Sequence, residues 1–236
     1  MPSIDAAEIT RMRDSVFFEG PDAGRRMSRF WILLILAAII AAAGVVGDST
    51  ATVIGAMIVA PLMLPIQATM LAVVLGDRTN LIRSLALVVA GALTAIGIGW
   101  LMGTLSVSDV VAATNSQVAA RVNPRLIDLL AALATGVVGS VALARRDISD
   151  TLPGVAIAIS LVPPLSVVGL TLQAGEYDQA LGALLLFLTN VAAILLTGTV
   201  VMAVYRVHRL TAPDAPSEVR VVNRRNATVL IVANTS

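Results

Sequence analysis

Apolar residues run through this chain in long uninterrupted stretches, not in the short alternations of a soluble fold. The first covers residues 30–47, the second 52–75 and the third 81–102. A polar stretch holding Ser, Asn and Asp follows, and then come 126–144, 151–174 and 180–205. A helix needs about 20 mostly apolar residues to cross the hydrocarbon core, so the pattern predicts an all-α, polytopic membrane protein with six transmembrane helices. Two of the six contain prolines: Pro61 and Pro65 in the second, Pro163 and Pro164 in the fifth.

The flanking segments read differently. Residues 1–29 place Ile4, Ala7, Ile9, Met12 and Val16 among Asp, Glu and Arg, which predicts an amphipathic helix lying at the membrane surface. The first apolar run starts near residue 30 and is too long for the apolar region of a leader, so no cleavable signal peptide is expected. Residues 206–236 are polar, carry Pro213 and Pro216, and are too few for a second domain. The expected organisation is a cytoplasmic N-terminal segment (1–29), a six-span domain (30–205) and a cytoplasmic tail (206–236).

Charge sets the orientation. Arg11, Arg13, Arg25, Arg26 and Arg29 precede the first span, and positive charge favours the cytoplasmic side. Six crossings then bring Arg78, Arg83, Arg145, Arg146 and the Arg-rich tail to the same side. Of the sixteen basic residues, all Arg, only Arg121 and Arg125 fall outside. Both termini are therefore expected in the cytoplasm of a bacterial inner (plasma) membrane protein.

Composition narrows the chemistry. The chain is 57% hydrophobic and 13% charged, about half the charge of a soluble domain. It has no cysteine and one histidine, His208, so disulfides and thiolate chemistry are excluded and no metal or other cofactor is expected. Paired carboxylates, histidine clusters and activated nucleophiles are missing at depth, and the protein is not expected to be an enzyme. A net charge of +1 gives no reason to expect a nucleic-acid partner.

Comparing the chain with itself is more informative. Residues 47–99 align without a gap onto 146–198, an offset of 99. Asp48 meets Asp147, Thr52 meets Thr151 and Gly55 meets Gly154; Pro65 meets Pro164, Gly76 meets Gly175 and Gly99 meets Gly198. Each half (30–103 and 125–205) then holds three spans with a proline-broken middle one. Because three is odd, the second copy enters from the opposite side, giving two inverted three-helix repeats. Inverted repeats with discontinuous helices are a recurring plan of transporters and of some channels. Proline removes a backbone donor and breaks the helix, and the freed groups must be buried in protein or line a wet cavity. Simple kinks are the competing reading.

Three stretches also resemble a known family. Gly55-Ala-Met-Ile-Val-Ala-Pro-Leu-Met-Leu-Pro65-Ile and Gly154-Val-Ala-Ile-Ala-Ile-Ser-Leu-Val-Pro-Pro-Leu165 are similar to the two hallmarks of the bacterial and archaeal domain of unknown function 389. Ala183-Leu-Leu-Leu-Phe-Leu-Thr-Asn190 resembles its last span. The likeness covers roughly residues 28–205 and implies a multi-span membrane protein without an agreed substrate. One position departs: Asp48 stands where the resemblance implies an amide-bearing residue such as Asn or Gln.

The candidate site residues are the prolines and the uncharged polar residues near them: Pro61, Pro65, Gln67, Ser160, Pro163, Pro164, Ser166 and Asn190. They line a pathway for a small solute or ion, or they tie helices together. Asp48 and Asp147 cap the helices that follow them or act as gates. No charge falls at mid-span, which argues against a carboxylate proton relay. Small residues recur at Gly91, Ala95, Gly99 and Gly103, and at Ala132, Gly136, Ser140 and Ala144. These stripes are expected to pack helices within one chain, with a homo-oligomer contact as the second reading. The leading expectation is a membrane transporter or channel whose partners are the lipid bilayer and a small solute or ion. The alternative is a non-transporting anchor, sensor or partner subunit.

Overall fold

The computed structural model describes residues 6–107, 109–144 and 161–205, and the described residues are helical with connecting turns. In chain order the helices are α1 (Ala6–Val16), α2 (Ala23–Val46), α3 (Thr50–Val59), α4 (Met63–Leu75), α5 (Arg78–Thr104), α6 (Ser116–Val122), α7 (Leu126–Ala144), α8 (Val162–Gln173) and α9 (Tyr177–Val204). Four of them, α2, α5, α7 and α9, are long and apolar enough to cross a membrane. The pair α3 and α4 passes the same test as one span bent by 46°. The expected fifth span lies partly outside the described residues, which hold only its second part, α8.

Local chemistry explains where the helices begin. Ser49 opens α3 by accepting the Thr52 amide, Asp77 opens α5 by accepting the Asn80 amide, and Asn115 opens α6 by accepting the Val118 amide. Each is a side-chain N-cap that satisfies an amide the helix itself cannot. α3 ends where Ala60, forced extended by the proline after it, takes φ −65° and ψ 123°.

Packing between the helices is close because small residues let backbones meet. α5 lies against α8, α7 against α9, and α4 against both α5 and α9. At the α5–α8 crossing, a β-carbon on Gly99 would come within 2.5 Å of the Ser166 carbonyl oxygen, and one on Gly169 would meet the Ile96 carbonyl and, at 2.5 Å, the Trp100 amide. At the α4–α9 crossing a β-carbon on Gly198 would meet the Met70 sulfur, and on α7 one on Gly136 would meet Thr197 of α9. Both small-residue stripes are buried against helices of the same chain, which is the first of the two readings drawn from them. The outward faces are apolar instead: Ile32 and Leu36 on α2, Ile82, Leu85, Val89 and Leu93 on α5, and Leu188, Leu196 and Val200 on α9.

α1 departs from the expectation of a helix resting on lipid. Its apolar face is taken by the bundle: Ile9, Met12 and Val16 are buried in one cluster with Met70, Leu71 and Leu75 of α4, Leu143 of α7 and Met202 of α9. Arg11 donates to the carbonyls of Leu143 (3.0 Å) and Ala144 (3.4 Å), satisfying acceptors at the C-terminus of α7, where a cation is favoured. Periodicity showed that α1 has an apolar face, and the bundle, not the bilayer, covers it.

Candidate functional site

The prolines sit at helix starts. Pro61 lies in the bend between α3 and α4, and its carbonyl accepts the Leu64 amide at 3.1 Å. Pro65 falls in the first turn of α4, and Pro163 and Pro164 in the first turn of α8. Proline is tolerated there because its missing N–H has no intrahelical partner anyway. Leu62 and Ile66 from the start of α4 share one buried cluster with Leu161, Val162 and Leu165 from the start of α8. The two helix starts are thus brought to a common place in the core.

Three polar residues border it, with different fates. Gln67 is buried on α4 and donates from Nε2 to the Gly139 carbonyl of α7 at 3.1 Å, so it ties two helices. Ser166 is fully buried on α8, and its Oγ has no hydrogen-bond partner among the described residues. Asn190, also buried, lies on α9 between Phe187 and the pair Ala193–Ile194, all three members of the same cluster; its Oδ1 is likewise unpartnered. A buried polar atom without a partner costs about 1–3 kcal/mol, so such groups are rare in finished cores. Ser160 and Asp147 lie outside the described residues.

Asp48 does not cap α3. Its backbone is left-handed, with φ +49°, a conformation Asp tolerates better than most residues. Its carboxylate accepts instead from the Ser116 hydroxyl (2.7 Å) and the Gln117 amide (3.1 Å), so it holds the first turn of α6 beside the Asn115 cap, while Ser49 takes the α3 position. The Ser116 bond holds the carboxyl below the usual carboxylate range against the opposing effect of desolvation, with help from the Gln117 amide. That leaves Asp48 holding two segments of chain together at the end of the bundle remote from α1.

A polar network at the α1 end was not anticipated. Asp77 accepts from the Asn80 side chain (2.9 Å) and from Arg13 (3.1 Å). Asn80 also donates to Glu19 (2.8 Å), which in turn lies 3.8 Å from Arg83. Burial pushes the Asp77 carboxyl up, but the Asn80 and Arg13 bonds outweigh it and hold it below the usual range. The signal was legible in part: Asp77 followed three residues later by Asn80, just before an apolar run, is a helix-start pattern.

Comparison with known proteins places this arrangement in a family. The model of the family described as Domain of unknown function (DUF389) matches residues 57–196, a stretch holding the α3–α4 bend, both proline-opened helices and Asn190. The chain belongs to this family. It is also 31% identical over 194 residues to the "Uncharacterized protein MJ0678" of Methanocaldococcus jannaschii. That match covers 82% of this chain and 59% of the relative, so the chain spans well under two thirds of the relative's length. No solved structure matches. With its apolar span-length helices, the chain is a membrane protein of this family.

Proposed function

We propose that the protein is a transporter or channel for a small solute or ion, built of two inverted three-helix repeats whose broken middle helices meet at the pathway. One observation carries this reading: the α4–α5 and α8–α9 junctions have the same geometry at the same offset of 99. Gly76 (φ +66°) and Gly175 (φ +79°) are both left-handed. The Gly76 amide bonds to Val73 and that of Asp77 to Ala72; the Gly175 amide bonds to Leu172 and that of Glu176 to Thr171, each partner 99 residues on. The helix crossings correspond too, since Gly99 against Ser166 and Gly169 is matched by Gly198 against Met70.

Further support comes from the chain's course. Ala144 is at the end of the bundle where Arg11 caps α7, whereas Gln173 lies against Gly103 at the other end. These two described points at opposite ends support a sixth crossing between them and both termini on one side. Half-helices that start inside a membrane core offer unpaired amides to a ligand. The unpartnered Ser166 Oγ and Asn190 Oδ1 supply polar groups beside them. Among the described residues no Asp, Glu or Arg lies at mid-span, so the reading assigns recognition to uncharged groups and no catalytic step.

Purified protein in liposomes tests the proposal by flux of small anions, cations and neutral metabolites. The expected result is a flux that falls in a still-folded Pro65→Ala/Pro164→Ala variant. Flux that is unaffected by the double substitution would remove the pathway from the broken helices. Silence across the panel would favour an anchoring, sensing or partner-subunit role.

A further inference from the structure

Beside α1, on the flank of the bundle, lies a cavity of about 460 Å³, within the roughly 300–1,000 Å³ of small-molecule sites. Of the two proline-opened helices, α4 contributes Ala68 to its lining and α8 contributes nothing. Its walls are apolar, made by Phe17 from the α1–α2 turn, Met27 of α2, and Leu87 and Ala90 of α5; Asn80 and Arg83 of α5 lie towards its polar end. Along α5 the lining runs from Asn80 to Ala90, about 15 Å at 1.5 Å per residue. The cavity is therefore charged at the end nearest the start of α5 and hydrocarbon-like below.

We infer that this cavity is a binding site for one anionic phospholipid, its phosphate at Arg83 and an acyl chain between α2 and α5. Three observations support that occupant. The cavity lies beside the apolar outward face of α5, where Ile82, Leu85 and Val89 are exposed, so an acyl chain enters from the bilayer without crossing a polar layer. The apolar stripes on both flanking helices are headed by arginines, Arg29 above Ile32 and Leu36 on α2 and Arg78 above Ile82 and Leu85 on α5; neither makes an ion pair or hydrogen bond among the described residues. Such arginines at the membrane boundary attract anionic headgroups. Finally, Arg83 is 65% exposed, and its carboxylate neighbour among the described residues, Glu19, is 3.8 Å away and itself 41% exposed. That pair is weak and leaves guanidinium donors for a phosphate, which Arg binds in a bidentate fork.

The inference does not depend on transport. It is tested by native mass spectrometry of the full chain after exchange into equimolar phosphatidylglycerol and phosphatidylcholine. The expected result is one phosphatidylglycerol retained at least about fivefold over phosphatidylcholine. Arg83→Gln should bring that ratio close to one. Glu19→Gln should raise it, and Ala90→Phe, which fills the apolar part, should reduce retention of both lipids. Arg83→Gln and Glu19→Gln alter exposed side chains, and the size-exclusion profile checks each variant's fold. Equal retention of the two lipids by the unaltered protein, or an unchanged ratio in Arg83→Gln, would overturn the assignment.

Discussion

Asp77 carries more of the α1 end than its single charge suggests. It is 8% exposed, caps α5 through the Asn80 amide and binds Arg13. Removing it in Asp77→Ala leaves the buried Asn80 amide without its acceptor and Arg13 with only Glu19, at 3.7 Å, as an ion-pair partner, and the expected cost is about 1–3 kcal/mol, read as a lower thermal midpoint in detergent. The pH dependence has a definite sign. A carboxyl whose folded pKa is depressed contributes stability that is present above its unfolded value, about 3.9. That stability is lost as pH falls through the lower folded value. The thermal midpoint of the unaltered protein should thus fall below about pH 4, while between pH 6 and 8 the Asp77 contribution is fully present and does not vary, and the fall should be smaller in Asp77→Ala. Asn190 is the opposite case. Its Oδ1 is buried and unpartnered, so Asn190→Leu should raise stability by about 1 kcal/mol while abolishing flux, the usual trade at a site kept for function. A loss of stability together with unaltered flux would make Asn190 a structural residue. Neither role was fully legible in the sequence. The position of Asn190 in an apolar span marked it, but whether its amide is satisfied depends on neighbours contributed by other helices. The capping of α3 by Asp48 fails for a related reason: at a left-handed φ its carboxylate meets α6, and nothing in the residue order announces that angle.

At the scale of elements, the helix crossings make the strictest demands. A β-carbon on Gly169 would collide with the Ile96 carbonyl and the Trp100 amide, both backbone atoms of α5, which cannot swing aside as a side chain can. Gly169→Ala should therefore separate α5 from α8 at a cost of about 3 kcal/mol, the upper end of the usual range for overpacking. Gly97 provides the control, being helical and exposed with nothing within 4 Å of an added β-carbon. Gly97→Ala should be neutral or slightly stabilising, because Ala is the better helix former. Thermal unfolding of the two variants side by side decides the point, and equal midpoints would mean that the crossing is less tight than its geometry. The stripe containing Gly99 could be read from spacing alone, as could the span-length helices. What spacing does not carry is the partner. The apolar stripe of α1 was evident, yet an amphipathic pattern specifies that a face must be covered, not whether lipid or protein covers it. The prolines illustrate the same limit, since their positions mark interruptions, while only the turn-by-turn register places Pro61 in the bend and Pro65, Pro163 and Pro164 in the first turns of α4 and α8.

For the whole molecule, the decisive question is how many times the chain changes sides. Two features of the described residues bear on it. α7 ends beside Arg11 of α1, and α9 begins at the opposite end, where the Gln179 side chain accepts the Ala112 amide and a β-carbon on Gly182 would meet the Val122 carbonyl. The proposed sixth crossing lies between Ala144 and Tyr177, and sidedness labelling tests it. The protein has no cysteine, so single cysteines report sidedness without background. Asp22→Cys and Thr79→Cys, at exposed positions near α1, should be shielded in intact cells from a membrane-impermeant maleimide and react only after permeabilisation. Asp109→Cys and Tyr177→Cys, also exposed, should react at once. Labelling of Tyr177→Cys from the Thr79 side would mean that the segment before α9 folds back instead of crossing. The two repeats would then no longer be inverted, and the pairing of the proline-opened helices across a midplane axis would lose its basis. Labelling as expected would put α4 and α8 in the membrane from opposite sides, with the Ser166 and Asn190 side chains between them. In that geometry one site can face each side in turn, because a duplicated, oppositely inserted unit gives the two faces of the membrane equivalent gates.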